Sequence, residues 1–203
     1  AEDGIYILMK EVVDNSIDEY MMGNGRRIEI KLAENMVSVR DFGRGIPLGK
    51  VVDVVSKINT GAKYDSNVFQ KSVGLNGVGT KAVNALSSYF KVTSYREGEF
   101  KTAVFERGEL VSEDSGKADK KNGTYVEYTA DTEIFKTHKY ITEYIDNQMW
   151  NYVYLNAGLT INFNGNKYFS KNGLLDLLER KTNVEENRYP IIHLKDGDIE
   201  TAL

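Results

Sequence analysis

Residues 74–79 form a glycine-rich stretch that could bind phosphate. The stretch reads GLNGVG and is followed by small, helix-compatible residues from Thr80 onward. Closely spaced glycines let a backbone turn tightly and approach a ligand closely. A helix that begins directly after such a loop points unpaired N–H groups and a partial positive charge at that ligand, which favours phosphate. The stretch fits neither GxxxxGK[ST] nor GxGxxG, so a plain turn from strand to helix is the alternative.

A second stretch, residues 11–19, is acidic. Its sequence EVVDNSIDE places Glu11, Asn15 and Glu19 four residues apart, so on a helix they lie along one line. Asp14 and Asp18 are predicted on the same arc, opposite an apolar one. Carboxylates crowded in this way repel one another, and a bound cation would relieve the repulsion. A solvated acidic face is the alternative interpretation.

A third stretch places Asp41 at the end of a predicted strand and before the sequence FGRGIP. Aspartate in this position is often only a turn former. As a binding residue it can only accept hydrogen bonds, which suits the exocyclic amine of adenine and disfavours the carbonyl oxygen of guanine. The glycines that follow would leave room for a flat purine ring.

The three stretches, in this order and spacing, resemble the nucleotide-binding motifs of the GHKL superfamily of gyrase, chaperone, histidine-kinase and mismatch-repair ATPases. The chain is most similar to the ATPase domain of the B subunits of bacterial type II topoisomerases, and the resemblance extends over essentially its whole length. It implies an α/β two-layer sandwich of the Bergerat type, with a mixed, largely antiparallel sheet and helices on one face. The implied ligands are ATP and Mg²⁺.

The resemblance also assigns roles to residues. Glu11 would be the catalytic base that polarises the attacking water, Asn15 would ligate Mg²⁺, and Asp41 would read adenine. Arg44 would pair with Glu19 and lie over the purine. The other implied nucleotide-binding residues line the base pocket, its mouth or the phosphates, and are Gly43, Gly45, Ile46, Pro47, Arg96, Thr124, Gly74, Leu75, Asn76, Gly77, Val78 and Gly79.

Residues 60–74 are predicted to form a long loop, which in this family is the lid over ATP. Lys63 and Lys71 could contact phosphates from it, and plain solvent exposure is the alternative for both. Phe69 stands where many gyrases have a tyrosine that touches adenine, and Asn76 replaces the histidine usual in bacterial gyrases. These departures favour the topoisomerase IV branch over gyrase.

Composition narrows the function further. The chain has 203 residues, a net charge of -4, no cysteine and two histidines. One domain is expected, without disulfides, thiolate metal sites or a histidine metal site. An acidic domain is a poor candidate for gripping DNA phosphates. No apolar run reaches the length of a membrane span, so the cytoplasm is the expected compartment.

Periodicity and turn residues predict the elements that must position these residues. The predicted helices cover residues 3–22, 48–58, 80–86, 140–155 and 172–178, the last capped by Asn172. The predicted strands cover 27–32, 36–40, 91–96, 100–106, 124–128, 159–163, 167–170 and, at an edge, 191–194. Residues 110–122 are predicted to be a long loop.

The resemblance therefore implies an ATP-binding and hydrolysing domain that powers ATP-dependent DNA strand passage. Through the full-length protein its partners would be DNA and a topoisomerase A subunit, with an ATP-driven homodimer and a site for competitive inhibitors. An N-terminal arm and a following transducer domain would lie outside this chain, which is then expected to be a monomer. A gyrase B domain, or a nucleotide-binding module with little turnover, is the alternative.

Overall fold

An eight-stranded mixed sheet forms the centre of the structure, a computed structural model that describes residues 2–56, 78–136, 139–182, 190–197 and 199–203. The strand order is β5-β4-β3-β6-β2-β1-β7-β8, and β9 and β10 form a separate two-stranded sheet. The strands are β1 Arg27–Ala33, β2 Met36–Asp41, β3 Ser87–Arg96, β4 Glu99–Glu106, β5 Glu109–Lys117, β6 Gly123–Ala130, β7 Thr160–Phe163, β8 Asn166–Phe169, β9 His193–Asp196 and β10 Ile199–Ala202. The helices are α1 Glu2–Met21, α2 Val51–Ser56 (preceded by the 3₁₀ turn η1 Leu48–Lys50), α3 Gly79–Ala85, α4 Thr132–Phe135, α5 Thr142–Leu155 and α6 Leu174–Lys181.

Helix α1 forms because its apolar residues recur at helical spacing and can all face the sheet. Its fully buried side chains include Ile5, Met9 and Val13. Gly23, with a φ of +83°, ends it, and the N–H of Gly23 donates to Tyr20 O at 2.9 Å. A positive φ at this position is easy only for glycine, which confirms the predicted end of the helix.

The sheet is largely antiparallel, as predicted. In the β1–β2 hairpin, inward side chains such as Ile28 and Val39 are buried and alternate with more exposed ones. The exception is β7, which pairs in parallel with β1, with Ile28 opposite Ile161. The buried residues of α1, α5 and the inner sheet face form one apolar core, so the helices and the sheet make two layers.

The loop predicted over residues 110–122 is wrong for most of its length. Strand β5 covers Glu109–Lys117 and pairs antiparallel with β4. All of its residues are exposed, because β5 is an edge strand with water on both faces. Such a strand needs no alternation of apolar and polar residues, so the pattern that identifies half-buried strands is missing.

The C-terminal region also differs from expectation. Helix α6 runs to Lys181, and its N-cap is Gly173, with a φ of +62°, rather than Asn172. Asn172 instead precedes the cap and binds Asp176, donating through its backbone N at 3.0 Å and through Nδ2 at 2.9 Å. The edge strand expected over residues 191–194 is shifted, because β9 covers His193–Asp196 and pairs with β10 in the separate two-stranded sheet. Among the described residues, no helix is both long and apolar enough to cross a membrane.

Candidate functional site

The carboxylate of Glu11 rests against the first residue of α3. A Cβ atom built on Gly79 would lie 1.8 Å from Glu11 Oε2, so the carboxylate occupies space that glycine alone leaves open. Gly79 is the last residue of the glycine-rich stretch, and α3 begins with it. The structure therefore brings the predicted base to the end of the predicted phosphate loop, although the two are far apart in sequence.

Asn15 lies one turn further along α1 and also contacts α3. Its Nδ2 donates to Glu11 O at 2.7 Å and to Thr80 Oγ1 at 2.7 Å. Because both amide hydrogens are used in this way, Oδ1 is the atom of the side chain that could ligate a cation. The described residues contain no cluster of three or more His, Cys, Asp or Glu that could hold a metal by itself. The amide oxygen of Asn15 is of the ligand type that Mg²⁺, a hard cation, takes from proteins.

The predicted pair of Glu19 with Arg44 is present. Arg44 donates to Glu19 from its backbone N at 2.9 Å, from Nε at 3.2 Å and from Nη2 at 2.9 Å. Burial opposes ionisation of Glu19, but the hydrogen bonds from Arg44 outweigh it and lower its pKa. A Cβ on Gly43 would lie 2.6 Å from Glu19 Oε2, so the end of α1 and the turn after β2 fit together because residue 43 is glycine.

Asp41 is buried at the end of β2. Its Oδ1 accepts from the backbone N of Gly43 at 2.9 Å and of Thr124 at 3.1 Å, which makes Oδ2 the oxygen that could accept from a base. Burial raises the pKa of Asp41 from 3.8 to about 6, and the two N–H groups only partly offset this. A buried carboxylate with a strongly raised pKa is a candidate functional group.

The turn after Asp41 depends on Gly45 and on Ser94, which the sequence alone does not single out. Ser94, fully buried in β3, donates from Oγ to Ile46 O at 2.6 Å. Gly45 has a φ of +76°, and a Cβ there would lie 2.6 Å from Tyr95 O. The turn is thus held against β3 by close backbone contact and by one buried hydroxyl.

Arg40 ties the same turn to the chain before β6. It donates from Nη1 to Asp41 O at 2.6 Å and from Nη2 to Lys121 O at 2.5 Å, and its guanidinium lies 4.8 Å from the ring centroid of Phe42. Gly123, with a φ of +133°, passes so close that a Cβ there would lie 2.2 Å from Asp41 O. Burial lowers the pKa of Arg40.

Of the remaining predicted base-pocket residues, Arg96 and Thr124 come to the same turn. Arg96 Nη1 donates to Gly45 O at 3.4 Å, and the contact of Thr124 with Asp41 is made by its backbone N–H. Pro47 is exposed and directly precedes η1, and Val78 is 47% exposed at the N-cap of α3.

The predicted acidic arc is wrong for two of its five residues. Asp14 and Asp18 are buried, with 4% and 8% of their surface exposed, whereas Asn15 is exposed. Asp14 accepts a hydrogen bond from Tyr152 Oη on α5 at 3.1 Å and pairs with Lys10. Burial, followed by the charge of Asp14, raises the pKa of Tyr152. Asp14 thus joins α1 to α5.

The rest of the predicted site lies outside the described residues. This holds for the predicted lid, for Lys63, Phe69 and Lys71, and for residues 74–77 of the glycine-rich stretch.

Comparison with known proteins shows the family of proteins to which this chain belongs. Residues 1–133 match the family of histidine kinase-, DNA gyrase B- and HSP90-like ATPases, and the chain belongs to that family. Within it, the chain is similar to the ATPase domain of type II topoisomerase B subunits. The B subunit of DNA topoisomerase 4 from Borreliella burgdorferi is 51% identical over 201 residues, which are 99% of this chain and 34% of that protein.

Two further relatives agree with this assignment. The B subunit of DNA gyrase from Mycobacterium tuberculosis is 38% identical over 170 residues, 80% of this chain and 25% of that protein. The 43K ATPase domain of Thermus thermophilus gyrase B, solved in complex with an aminocoumarin, matches with a TM-score of 0.75 at 28% identity, over 99% of this chain and 56% of that one. The predicted fold is therefore confirmed. The chain spans about a third or less of the length of the topoisomerase subunits it matches.

Proposed function

We propose that this chain binds and hydrolyses ATP as the ATPase domain of a type II topoisomerase B subunit, of the topoisomerase IV kind. The observation that carries the proposal is the contact of Glu11 with Gly79, which sets an acceptor-only carboxylate against the helix that follows the glycine-rich stretch. A carboxylate in that position can orient and polarise a water near a bound phosphate. Buried Asp41 would receive the adenine.

In this mechanism most of the catalysis is positioning, because phosphoryl transfer needs the attacking and leaving oxygens in line. Glu11 would hold the water and take its proton. Arg44, fixed by Glu19, would lie over the purine, and Asp41 Oδ2 would accept from the adenine amine. Asn15 Oδ1 would hold Mg²⁺, which when bound neutralises charge on the phosphate oxygens.

For the whole protein, we propose ATP-driven strand passage in DNA together with an A subunit, through a homodimer that forms when ATP binds. The domain itself would act as a monomer in the cytoplasm, and inhibitors that compete with ATP would bind the same pocket. The solved ATPase domain of the gyrase relative was in complex with a small molecule, an aminocoumarin. The net charge of -4 supports DNA binding elsewhere in the protein.

A nucleotide-binding module with little turnover is the second candidate. It is favoured by the fact that the chain covers only 56% of the solved 43K ATPase domain. In the resembled family, the domain that follows supplies further groups to the γ-phosphate. A slow turnover in this chain and a fast one in the full-length protein would distinguish the two candidates.

The proposal is tested by Glu11→Ala and Asn15→Ala in the full-length protein. Glu11→Ala should lower ATP turnover by roughly 10²–10⁴, the usual contribution of a general base, and leave nucleotide affinity nearly unchanged. Asn15→Ala should instead weaken binding of the Mg²⁺–nucleotide complex. Lys10→Ala on the same helix is the control. The side chain of Lys10 pairs with Asp14, which has no role in the proposed mechanism. Near-parental turnover by Glu11→Ala would exclude Glu11 as the base.

A further inference from the structure

Thr80 in the first turn of α3 is tied to the proposed metal ligand. Asn15 Nδ2 donates to Thr80 Oγ1 at 2.7 Å and to Glu11 O at 2.7 Å. The first bond joins residues that are 65 positions apart and links α1 to α3. Thr80 belongs to none of the roles assigned above.

The two bonds fix which way the amide of Asn15 faces. An amide side chain has a donating and an accepting end, and rotation by half a turn exchanges them. The backbone oxygen of Glu11 can only accept, and the hydroxyl of Thr80 accepts here as well. With Nδ2 held by both, Oδ1 is directed away from them. A rotated amide would set Oδ1 against the oxygen of Glu11 and would present N–H groups, which repel a cation.

The bond of Asn15 to Glu11 joins the side chain to the backbone of its own helix. Asn15 is exposed, so water competes for this single bond. The bond to Thr80 comes from another helix and adds a second, independent constraint on the amide. Glu11 rests against Gly79, the neighbour of Thr80, so one turn of α3 positions both polar side chains of α1.

We propose that Thr80 is a positioning residue for Mg²⁺: its hydroxyl orients the amide of Asn15 so that Oδ1 faces the metal. The inference rests on the proposed function, in which Asn15 is the ligand. If Thr80 positions the metal ligand, its hydroxyl affects nucleotide affinity only when Mg²⁺ is present. If its role is purely structural, the hydroxyl affects affinity with and without Mg²⁺.

The test measures the affinity of the full-length protein for a non-hydrolysable ATP analogue by calorimetry, with Mg²⁺ and with EDTA. Thr80→Val removes the acceptor at nearly constant volume and should lower the enhancement of affinity by Mg²⁺ about 3- to 10-fold, as expected for one hydrogen bond. Thr80→Ser keeps the hydroxyl and should stay within about 2-fold of the parent. In EDTA the parent, Thr80→Val and Thr80→Ser should bind the ATP analogue with the same affinity. Thr80→Ala serves as a second variant if Thr80→Val folds poorly.

Asn15→Ala separates the inference about Thr80 from the proposed role of Asn15 as a ligand of Mg²⁺. If Asn15→Ala loses the enhancement and Thr80→Val keeps it, Thr80 does not position the ligand and the inference is wrong. An equal loss of affinity with and without Mg²⁺ in Thr80→Val would show a structural role only, and would also overturn it. If Asn15→Ala keeps the enhancement, the proposed role of Asn15 fails, and the inference with it. Support requires that Thr80→Val has no further effect in the Asn15→Ala background.

Discussion

Replacing Asp41 with Asn should stabilise the protein and weaken its binding of ATP. Burial raises the pKa of Asp41 from 3.8 to about 6, so the ionised carboxylate is less favourable in the folded chain than in the unfolded chain. At 1.36 kcal/mol per pH unit, this difference costs roughly 3 kcal/mol of stability at neutral pH. Asn carries no charge, and its Oδ1 can still accept from the backbone N–H groups of Gly43 and Thr124.

The size of this gain in stability depends on pH. Below pH 3.8 Asp41 is protonated in both the folded and the unfolded chain, so its burial carries no cost of charge. Because the pKa is raised on folding, stability is lost as the pH rises above 3.8, and the full cost is present above about 6. Asp41→Asn should therefore raise the melting temperature at pH 7.5, with an upper limit of roughly 6–12 °C for a domain of this size. Near pH 4 the gain should nearly vanish.

The effect on binding has the opposite direction. Asn presents Nδ2 where Asp41 offered an accepting Oδ2, so the amine of adenine meets a donor. We expect a loss of affinity for ATP on the order of 1–3 kcal/mol and a smaller preference for ATP over GTP. In the parent, affinity should fall as the pH drops through about 6, and in Asp41→Asn this part of the pH dependence should be absent.

The assays are thermal melts at pH 7.5 and near pH 4, and calorimetric titrations with ATP and GTP. Asp119→Asn, on an exposed loop residue, controls for the loss of one negative charge. A lower melting temperature at pH 7.5 would refute the claim that the buried charge is costly. Unchanged affinity for ATP, or equal affinity of the parent for ATP and GTP, would refute the role of Asp41 in reading the base.

Three further predictions concern the helix junction, an ion pair and DNA. Gly79→Ala would place a Cβ 1.8 Å from Glu11 Oε2, so the carboxylate must move away by more than 1 Å. Turnover of the full-length protein should therefore fall about 10²-fold, with little change in melting temperature. Gly49→Ala, with no atom within 4 Å of the new Cβ, is the matched control, and parental turnover in Gly79→Ala would contradict the expectation. Arg107→Ala should lower the melting temperature at pH 7, because hydrogen bonds from Arg107 lower the pKa of Asp131 in the folded chain. The stability that this adds is present above pH 3.8 and is lost as the pH falls through the lowered pKa, so the difference between variant and parent should shrink as the pH falls below 3.8. The chain should sediment as a monomer and bind duplex DNA weakly at physiological ionic strength; tight, salt-sensitive binding would count against this.

The elements that bury one face could be predicted from the sequence, and those without a buried face could not. The β1–β2 hairpin and α1 have clear periodicity, since each has one side in the core. Strand β5 has none, because its place at the edge of the sheet is set by pairing with β4 alone. The sequence carries no local signal for a contact of that kind.

The same division applies to the site. The resemblance correctly paired Glu19 with Arg44, and spacing placed Glu11 and Asn15 on one line. It also placed Asp14 on the same arc, but residues three apart on a helix are about 60° from alignment, and α5 buries that side. Ser94 and Arg40 hold the turn after Asp41 through contacts that depend on how strands are ordered in the sheet, which periodicity does not reveal.

The parallel pairing of β1 with β7 has a consequence for synthesis on the ribosome. Ile28 cannot meet Ile161 until more than 130 further residues have been made. At about 5–20 residues per second, β1 waits on the order of 10 s with one edge unpaired. An unpaired edge invites association with other chains, and contacts this distant in sequence slow folding. A nascent chain that ends at residue 133, where the family match ends, would keep that edge open, so a transcript cut there should yield aggregates that bind chaperones rather than a smaller working ATPase.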